Sequence, residues 1–300
     1  MVDKPQVVII GEVLFDLFED GAAVLGGAPF NVAWHLQGLG QSPLLISRVG
    51  QDQYGEQIYT TMGAWGMDVS GLQIDPQHAT GLVTVKLEQG QPSFDICDDV
   101  AYDYINLNQA DSGLVNVTSP FLYYGSLAAR HPQVSDLIQQ LRQGAVSSFL
   151  DINLRPPWWN KSGVAKLIQG TNCLKVNDDE LMTLTGANNE LVEMIGAAKD
   201  LLPEYHIETV IITLGERGAL MITADNVIQS RPVKVDNLQD TVGAGDAFSA
   251  ICMLGMIHDW ASDDILQRAT EFAAKICEQR GASSPNMDLY DFYKKQWQLT

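Results

Sequence analysis

Asp240-Thr241-Val242-Gly243-Ala244-Gly245-Asp246-Ala247-Phe248 sets three tiny residues directly ahead of an apolar run at helical spacing, 244–256. Small side chains leave the backbone N–H groups of Gly243, Ala244 and Gly245 unobstructed. A helix starting there turns its unpaired amides and the positive end of its dipole outward. Such a terminus holds an anion. Asp246 falls in the first turn, where a carboxylate can take a proton from a hydroxyl while neighbouring amides hold developing negative charge. The same residues also suit an N-capping Asp with glycines for close packing, and the bare Gly-x-Gly-Asp leaves both readings open. Two nucleotide motifs are excluded. Phe248 stands at the third glycine position of a dinucleotide fingerprint, and no Gly-Lys-Ser/Thr follows as in a P-loop.

Outward from this stretch, strand-like and helix-like runs alternate. Strands are expected over 6–10, 44–49, 121–124, 147–152, 173–176 and 209–213, and helices over 28–39, 55–65, 133–142, 179–185, 191–202, 244–256 and 263–279. Repeated β-then-α order predicts an α/β fold, with a mostly parallel central sheet flanked by helices on both faces. The continuous apolar run 6–10 suits a strand buried on both sides. Two stretches, 13–25 and 81–105, instead alternate polar and apolar residues around the turn signals Asp20-Gly21 and Gln89-Gly90, which predicts a small, half-exposed antiparallel sheet. No linker or repeat interrupts the chain, so one domain over 1–300 is expected, with this small sheet as an insertion.

Composition narrows the function. With 18 Lys plus Arg against 37 Asp plus Glu, the 300 residues carry a formal charge of −19. An acidic chain without a basic run is a poor partner for nucleic acid or an anionic membrane. A phosphate ligand must therefore be held by local backbone dipoles, a few placed cations and a metal. No apolar stretch approaches the ~20 residues of a membrane span, and no secretory leader is expected. Cys97, Cys173, Cys252 and Cys277 are scattered without a CxxC pair, which predicts free buried thiols in a reducing cytoplasm. The five histidines, His35, His78, His131, His206 and His258, fall in no catalytic motif.

A second constellation selects between the readings of Asp246. Gly26-Gly27-Ala28-Pro29-Phe30-Asn31 opens the first long helix, and Gly11-Glu12 follows the first strand. Together with Asp240–Asp246, these resemble the two signature regions of the ribokinase-like sugar kinases, the phosphofructokinase-B family, in the right order and over nearly the whole chain. The resemblance implies a three-layer ribokinase-like fold and ATP-dependent phosphoryl transfer to a sugar hydroxyl. Asp246 corresponds to the base, and Gly243, Ala244, Gly245 and the Asp246 amide to the anion hole. Asp16, Gly26, Gly27 and Asn31 correspond to sugar-binding positions; a carboxylate and an amide there suit a polyol, since each can take one or two hydroxyl hydrogen bonds. Arg155, at a strand's carboxyl end, is a candidate phosphate or substrate partner.

The same resemblance assigns Asn177 and Glu180, in Asn-x-x-Glu, to nucleotide-bound Mg²⁺ held largely through water. Thr213, Gly215 and Gly218 fall in the family's nucleotide loop. Asp240, the carbonyl of Val242 and the region of Gly281 match a monovalent-cation site, for K⁺. Thr270 replaces an Asn common near the adenine. The period-two segments, about 12–26 and 80–105, correspond to a β-lid over the sugar, and in many relatives two lids pack as a homodimer. Gly11-Glu12, Gly26-Gly27-Ala28-Pro29, Asp151-x-Asn153-x-Arg155 and Tyr124-Gly125-Ser126-Leu127 resemble the fructokinase branch. The alternatives are a 2-keto-3-deoxygluconate kinase, a ribokinase or nucleoside kinase, or a non-catalytic sugar-sensing homologue.

Overall fold

The computed structural model of the chain describes residues 6–88, 91–107 and 119–299. A nine-stranded sheet runs through it. Its strands, in spatial order, are β13 (Val227–Gln229), β12 (Ala219–Ile222), β11 (Thr209–Thr213), β10 (Cys173–Asn177), β9 (Ser147–Asp151), β8 (Phe121–Gly125), β1 (Val7–Ile10), β4 (Leu44–Gly50) and β5 (Leu72–Asp75). From β11 to β5 every pairing is parallel; β12 and β13 add an antiparallel edge. The continuous apolar run of β1 does what such runs do in parallel sheets. Val8, Ile9 and Ile10 are fully buried between helices on both faces, and each contributes roughly 1.5–3 kcal/mol of transfer free energy.

One face carries α1 (Ala28–Gly38), α2 (Gln53–Ala64), α7 (Ala244–Ile257), α8 (Ser262–Ile276) and α9 (Met287–Gln296) over a core that includes Phe30, Phe248 and Phe272. The other carries α3 (Pro132–Gly144), α4 (Lys161–Ile168), α5 (Asp178–Thr185) and α6 (Leu191–Tyr205). The α/β reading and its three layers hold. Cys173, Cys252 and Cys277 are buried free thiols as expected, whereas Cys97 is exposed, because it follows the last strand of the small sheet instead of entering a core.

That second sheet has four strands in the order β3 (Ala23–Gly26), β2 (Leu14–Phe18), β6 (Gly81–Glu88) and β7 (Gln91–Ile96). The outer pairs are antiparallel hairpins, as the period-two patterning predicts, but the middle pair β2–β6 is parallel. The reason is topological. β2 follows β1 and β6 follows β5, both leaving the carboxyl edge of the same parallel sheet, so both set out in the same direction. The turn signal Gln89-Gly90 lies outside the described residues. Among the described residues, no helix is long and apolar enough to cross a membrane.

Candidate active site

The carboxyl ends of β1, β8, β9, β10 and β11 lie side by side, which is where open α/β sheets hold their ligands. Ile10 is registered with Tyr124, Gly125 with Asp151, Asp151 with Lys175, and Asn177 with Thr213. Four strand spacings separate the first of these strands from the last, about 19 Å.

Over this edge two helices begin at glycine. Gly27 is the N-cap of α1 with φ 106°, and Gly243 is the N-cap of α7 with φ 78°. Neither tolerates a side chain. A Cβ on Gly27 would stand 2.7 Å from the Glu12 carbonyl, and one on Gly243 would stand 2.2 Å from the Ala282 Cβ. At α7, the Ala244 amide donates to the Thr241 carbonyl at 3.3 Å, and the first helical bond runs from Ala247 N–H to the Gly243 carbonyl at 2.9 Å. The Gly245 and Asp246 amides lie between them, at the exposed start of the helix.

The two glycine turns meet through their side chains. Asn31, one turn into α1 and buried, donates from Nδ2 to Oδ2 of Asp246 at 2.7 Å, across 215 residues of chain. Burial raises the Asp246 carboxyl to about 6; the Asn31 bond opposes this, the nearby Asp151 charge adds to it, and Lys175 and Arg155 oppose it. Asp16, on β2, is likewise raised to about 6 by burial, with Arg155 opposing. Arg155 thus lies in the field of both carboxylates, and its guanidinium stands 5.8 Å over the Phe94 ring of β7. Gly26 brings β3 close to Asp16: a Cβ there would lie 3.3 Å from Asp16 Oδ2.

Beneath Gly245 lies a buried ion pair that the sequence reading missed. Lys175 Nζ donates to both oxygens of Asp151, at 2.8 and 2.9 Å, and Ser249 Oγ donates to Asp151 at 2.7 Å. Burial works against the lysine's charge, but Asp151 outweighs it and holds Lys175 above its usual range. A charged residue inside the otherwise apolar run Cys173–Val176 was the available signal. Such a residue is almost never buried unless paired.

Toward β10 and β11, Asn177 caps α5 in a reciprocal box. Its side chain accepts from the Glu180 amide at 2.7 Å, and Glu180 accepts from the Asn177 and Leu154 amides at 2.9 and 2.8 Å. Thr213 ends β11, and the short turn Gly215–Arg217 leads to Gly218. Arg217 ties that turn to Asp178 at the start of α5, at 2.9 Å. Asp240 gathers the remaining pair: it accepts from the Val242 amide at 3.0 Å and from the Gly281 amide at 3.2 Å. Thr270 is turned inward, donating to the Leu266 carbonyl at 2.8 Å and lying 2.9 Å from the Ser230 hydroxyl. His35 is a core residue between Tyr290 and the Ala282 carbonyl, pushed down to about 4 by burial.

A family model described as the pfkB family carbohydrate kinase matches residues 6–289. The chain belongs to this family. Among the relatives of this pfkB kinase is an uncharacterized sugar kinase of Pyrococcus horikoshii, 30% identical over 97% of this chain and 96% of its own. Its crystal structure with ATP covers 94% of this chain and 96% of its own at 27% identity, with a TM-score of 0.77. A rice fructokinase is 27% identical over 94% of this chain and 91% of its own. The Vibrio cholerae fructokinase solved with fructose, ADP and calcium is 25% identical over 96% of this chain and 99% of its own, with a TM-score of 0.77. The pfkB carbohydrate kinase therefore has its two signature stretches joined by one hydrogen bond, above a buried ion pair.

Proposed function

We propose that this sugar kinase is an ATP-dependent fructokinase in which Asp246 is the base. The single observation that carries the reading is the 2.7 Å bond from Asn31 to Asp246, which joins the glycine turn of α1 to that of α7. The rice and Vibrio fructokinases among its relatives support fructose as the acceptor. Asp16, Gly26, Gly27, Asn31 and Arg155 bind the sugar. Asp246 takes the proton of one hydroxyl, whose oxygen bonds to the γ-phosphorus as the bond to the ADP oxygen breaks. A carboxylate raised to about 6 is a stronger base than an ordinary one, yet still mostly ionised at neutral pH. The amides of Gly243, Ala244, Gly245 and Asp246 and the dipole of α7 stabilise the transferring phosphoryl group, with the larger share from Gly245 and Asp246.

Thr213, Gly215 and Gly218 lie along the nucleotide. Glu180 spends both carboxylate oxygens on backbone amides, which leaves lone pairs for hydration water. That fits a Mg²⁺ ion bound outer-sphere beside Asn177 and Glu180. The ion, arriving with the nucleotide, supplies charge neutralisation. Asp240, with the Val242 carbonyl and the Gly281 turn, suits K⁺, since each of its oxygens accepts one amide and has capacity left.

The small sheet acts as a lid within a single domain, delivering Asp16 to the sugar and excluding water. Its exposed Phe18, Val24 and Phe94 support a homodimer through paired lids. Sedimentation at micromolar concentration tests this, and a monomer overturns it.

A panel of free sugars with ATP and Mg²⁺, read by coupled ADP release, tests the acceptor. Fructose is expected to show the highest kcat/KM. A higher value for 2-keto-3-deoxygluconate, ribose or a nucleoside overturns the fructose reading. Sugar binding without any turnover overturns the kinase reading in favour of a sensor.

A further inference from the structure

The helix that carries Asn31 holds a second polar residue on the same face. In α1, Asn31, His35 and Gly38 stand at i, i+4 and i+7, one stripe of a helix. Asn31 bonds Asp246 at 2.7 Å. His35 is fully buried; its Nε2 lies 3.0 Å from the Ala282 carbonyl and its Nδ1 2.9 Å from the Tyr290 hydroxyl. Gly38 makes room for that tyrosine, since a Cβ there would stand 2.6 Å from the ring. Beside His35, Trp34 donates from Nε1 to the Ser284 carbonyl at 2.8 Å. Helix α1 therefore grips the segment 282–284 at two carbonyls.

That segment walls the start of α7. Residues 281–286 belong to no helix or strand, so no ladder of backbone bonds fixes them. The Ala282 Cβ fills the space that a side chain on Gly243 would need, 2.2 Å from that position, and the Gly281 amide donates to Asp240 at 3.2 Å. The hydrogen bonds admit one tautomer. A carbonyl oxygen only accepts, so Nε2 of His35 carries the proton and Nδ1 accepts from Tyr290. The Ser284 carbonyl, which the Tyr290 hydroxyl also approaches, lies farther away at 3.3 Å and is already supplied by Trp34. Burial, which pushes the imidazole down to about 4, keeps it neutral.

We propose that His35 is a positioning residue for phosphoryl transfer: with Trp34 it moors 282–284 to α1, and so holds Ala282 against Gly243 and fixes the direction in which the Gly245 and Asp246 amides face. The role in transfer rests on the kinase reading above; the mooring does not. One helix then sets both parts of the machinery, the base through Asn31 and the anion hole through His35. Tyr290 brings α9 into the same chain of contacts. Amides that stabilise charge developing in the transition state act only from the right place. A slack wall behind them lowers kcat and leaves ground-state binding as it was.

His35→Leu removes both hydrogen bonds and keeps an apolar side chain in the core, whereas His35→Gln returns an N–H donor near the reach of Nε2. In His35→Leu, kcat and kcat/KM are expected to fall together by about tenfold, the worth of one hydrogen bond, with KM for sugar and ATP within about twofold of wild type. His35→Gln is expected to recover kcat to within about threefold of wild type. A folded His35→Leu with wild-type kcat, a loss carried by KM alone, or His35→Gln no better than His35→Leu overturns the positioning role. Hydrogen exchange of the ligand-free proteins reads the mooring without turnover. Peptides covering 243–247 and 279–285 are expected to exchange about tenfold faster in His35→Leu than in wild type; unchanged exchange there overturns the mooring. If His35→Leu does not fold, Tyr290→Phe, which removes one hydroxyl, is expected to show both changes at about threefold, and behaviour identical to wild type overturns the proposal. If wild type phosphorylates no sugar, the kinase reading fails, and the exchange alone decides the mooring.

Discussion

Helices α2 and α5 begin under a side-chain cap, whereas α1 and α7 begin at a glycine. Asp52 accepts from the Gly55 amide at 2.8 Å, and Asn177 accepts from the Glu180 amide at 2.7 Å. Gly27 and Gly243 supply no such acceptor, and both hold a positive φ. A capped terminus spends its amides on stability. An uncapped one, held in a backbone shape that only glycine adopts readily, leaves them for a ligand. The two glycine starts are also the two that meet over the sheet's carboxyl edge, through Asn31 and Asp246.

The largest effect expected from breaking this contrast is at Asp246. Asp246→Asn should lower kcat by at least ~10² while sugar and ATP still bind; a variant keeping more than about a tenth of wild-type kcat removes Asp246 from the mechanism. Next comes Gly243→Ala. It adds a Cβ 2.2 Å from that of Ala282 at φ 78°, a strain of about 1–3 kcal/mol or more. Both kcat and the denaturant midpoint should fall, and retention of both would break the claim that glycine shapes this terminus. The control, Asp52→Ala, should cost about 1 kcal/mol in urea unfolding with a smaller loss of kcat than Gly243→Ala, since Asp52 caps α2 and not the helix that carries Asp246.

The smallest effect separates the two aspartates by pH. Asp246 has a raised carboxyl, so the native state disfavours its charge. The stability it contributes is fully present below its unfolded value and is lost as pH rises through about 6. Asp52 is lowered: burial raises it, but the Thr80 and Gly55 amides and the Thr80 hydroxyl outweigh this. Its contribution is present above its unfolded value and lost as pH falls through the folded one. Unfolding curves between pH 3 and 8 should therefore show Asp246→Asn gaining stability over wild type as pH rises. Asp52→Asn should instead lose it as pH rises. Parallel pH dependences for the two variants would erase the distinction.

Much of this was legible in the sequence. Longer apolar or helical runs, such as Leu44–Gly50 and Ala244–Ile257, announce themselves because burial on known faces fixes the spacing of apolar residues. The elements left unread were short or mixed. β5, β12 and β13 have three or four residues, too few for a period to develop, and α9 interleaves aromatics with Lys and Asp. The parallel β2–β6 pair follows from where two excursions leave the main sheet, which no local pattern encodes. At the site, motif residues were readable because glycine and carboxylates sit at fixed offsets. The pairing of Lys175 with Asp151 arises only when distant strands become neighbours.

The place of β1 in the nine-stranded sheet bears on how the chain is made. Strands β9 to β13 each pair with their predecessor in sequence, but β1 lies between β4 and β8. Its β4 side can close early in synthesis, while its β8 side waits for Phe121–Gly125. At ribosomal rates of about 5–20 residues per second, the roughly 110 residues between them take on the order of 5–20 s. Through that interval Val7–Ile10 offers an apolar edge of open amides and carbonyls, the kind of template on which nascent chains associate. Yield from a cell would then depend more on what shelters that edge during translation than on the final stability of the sheet.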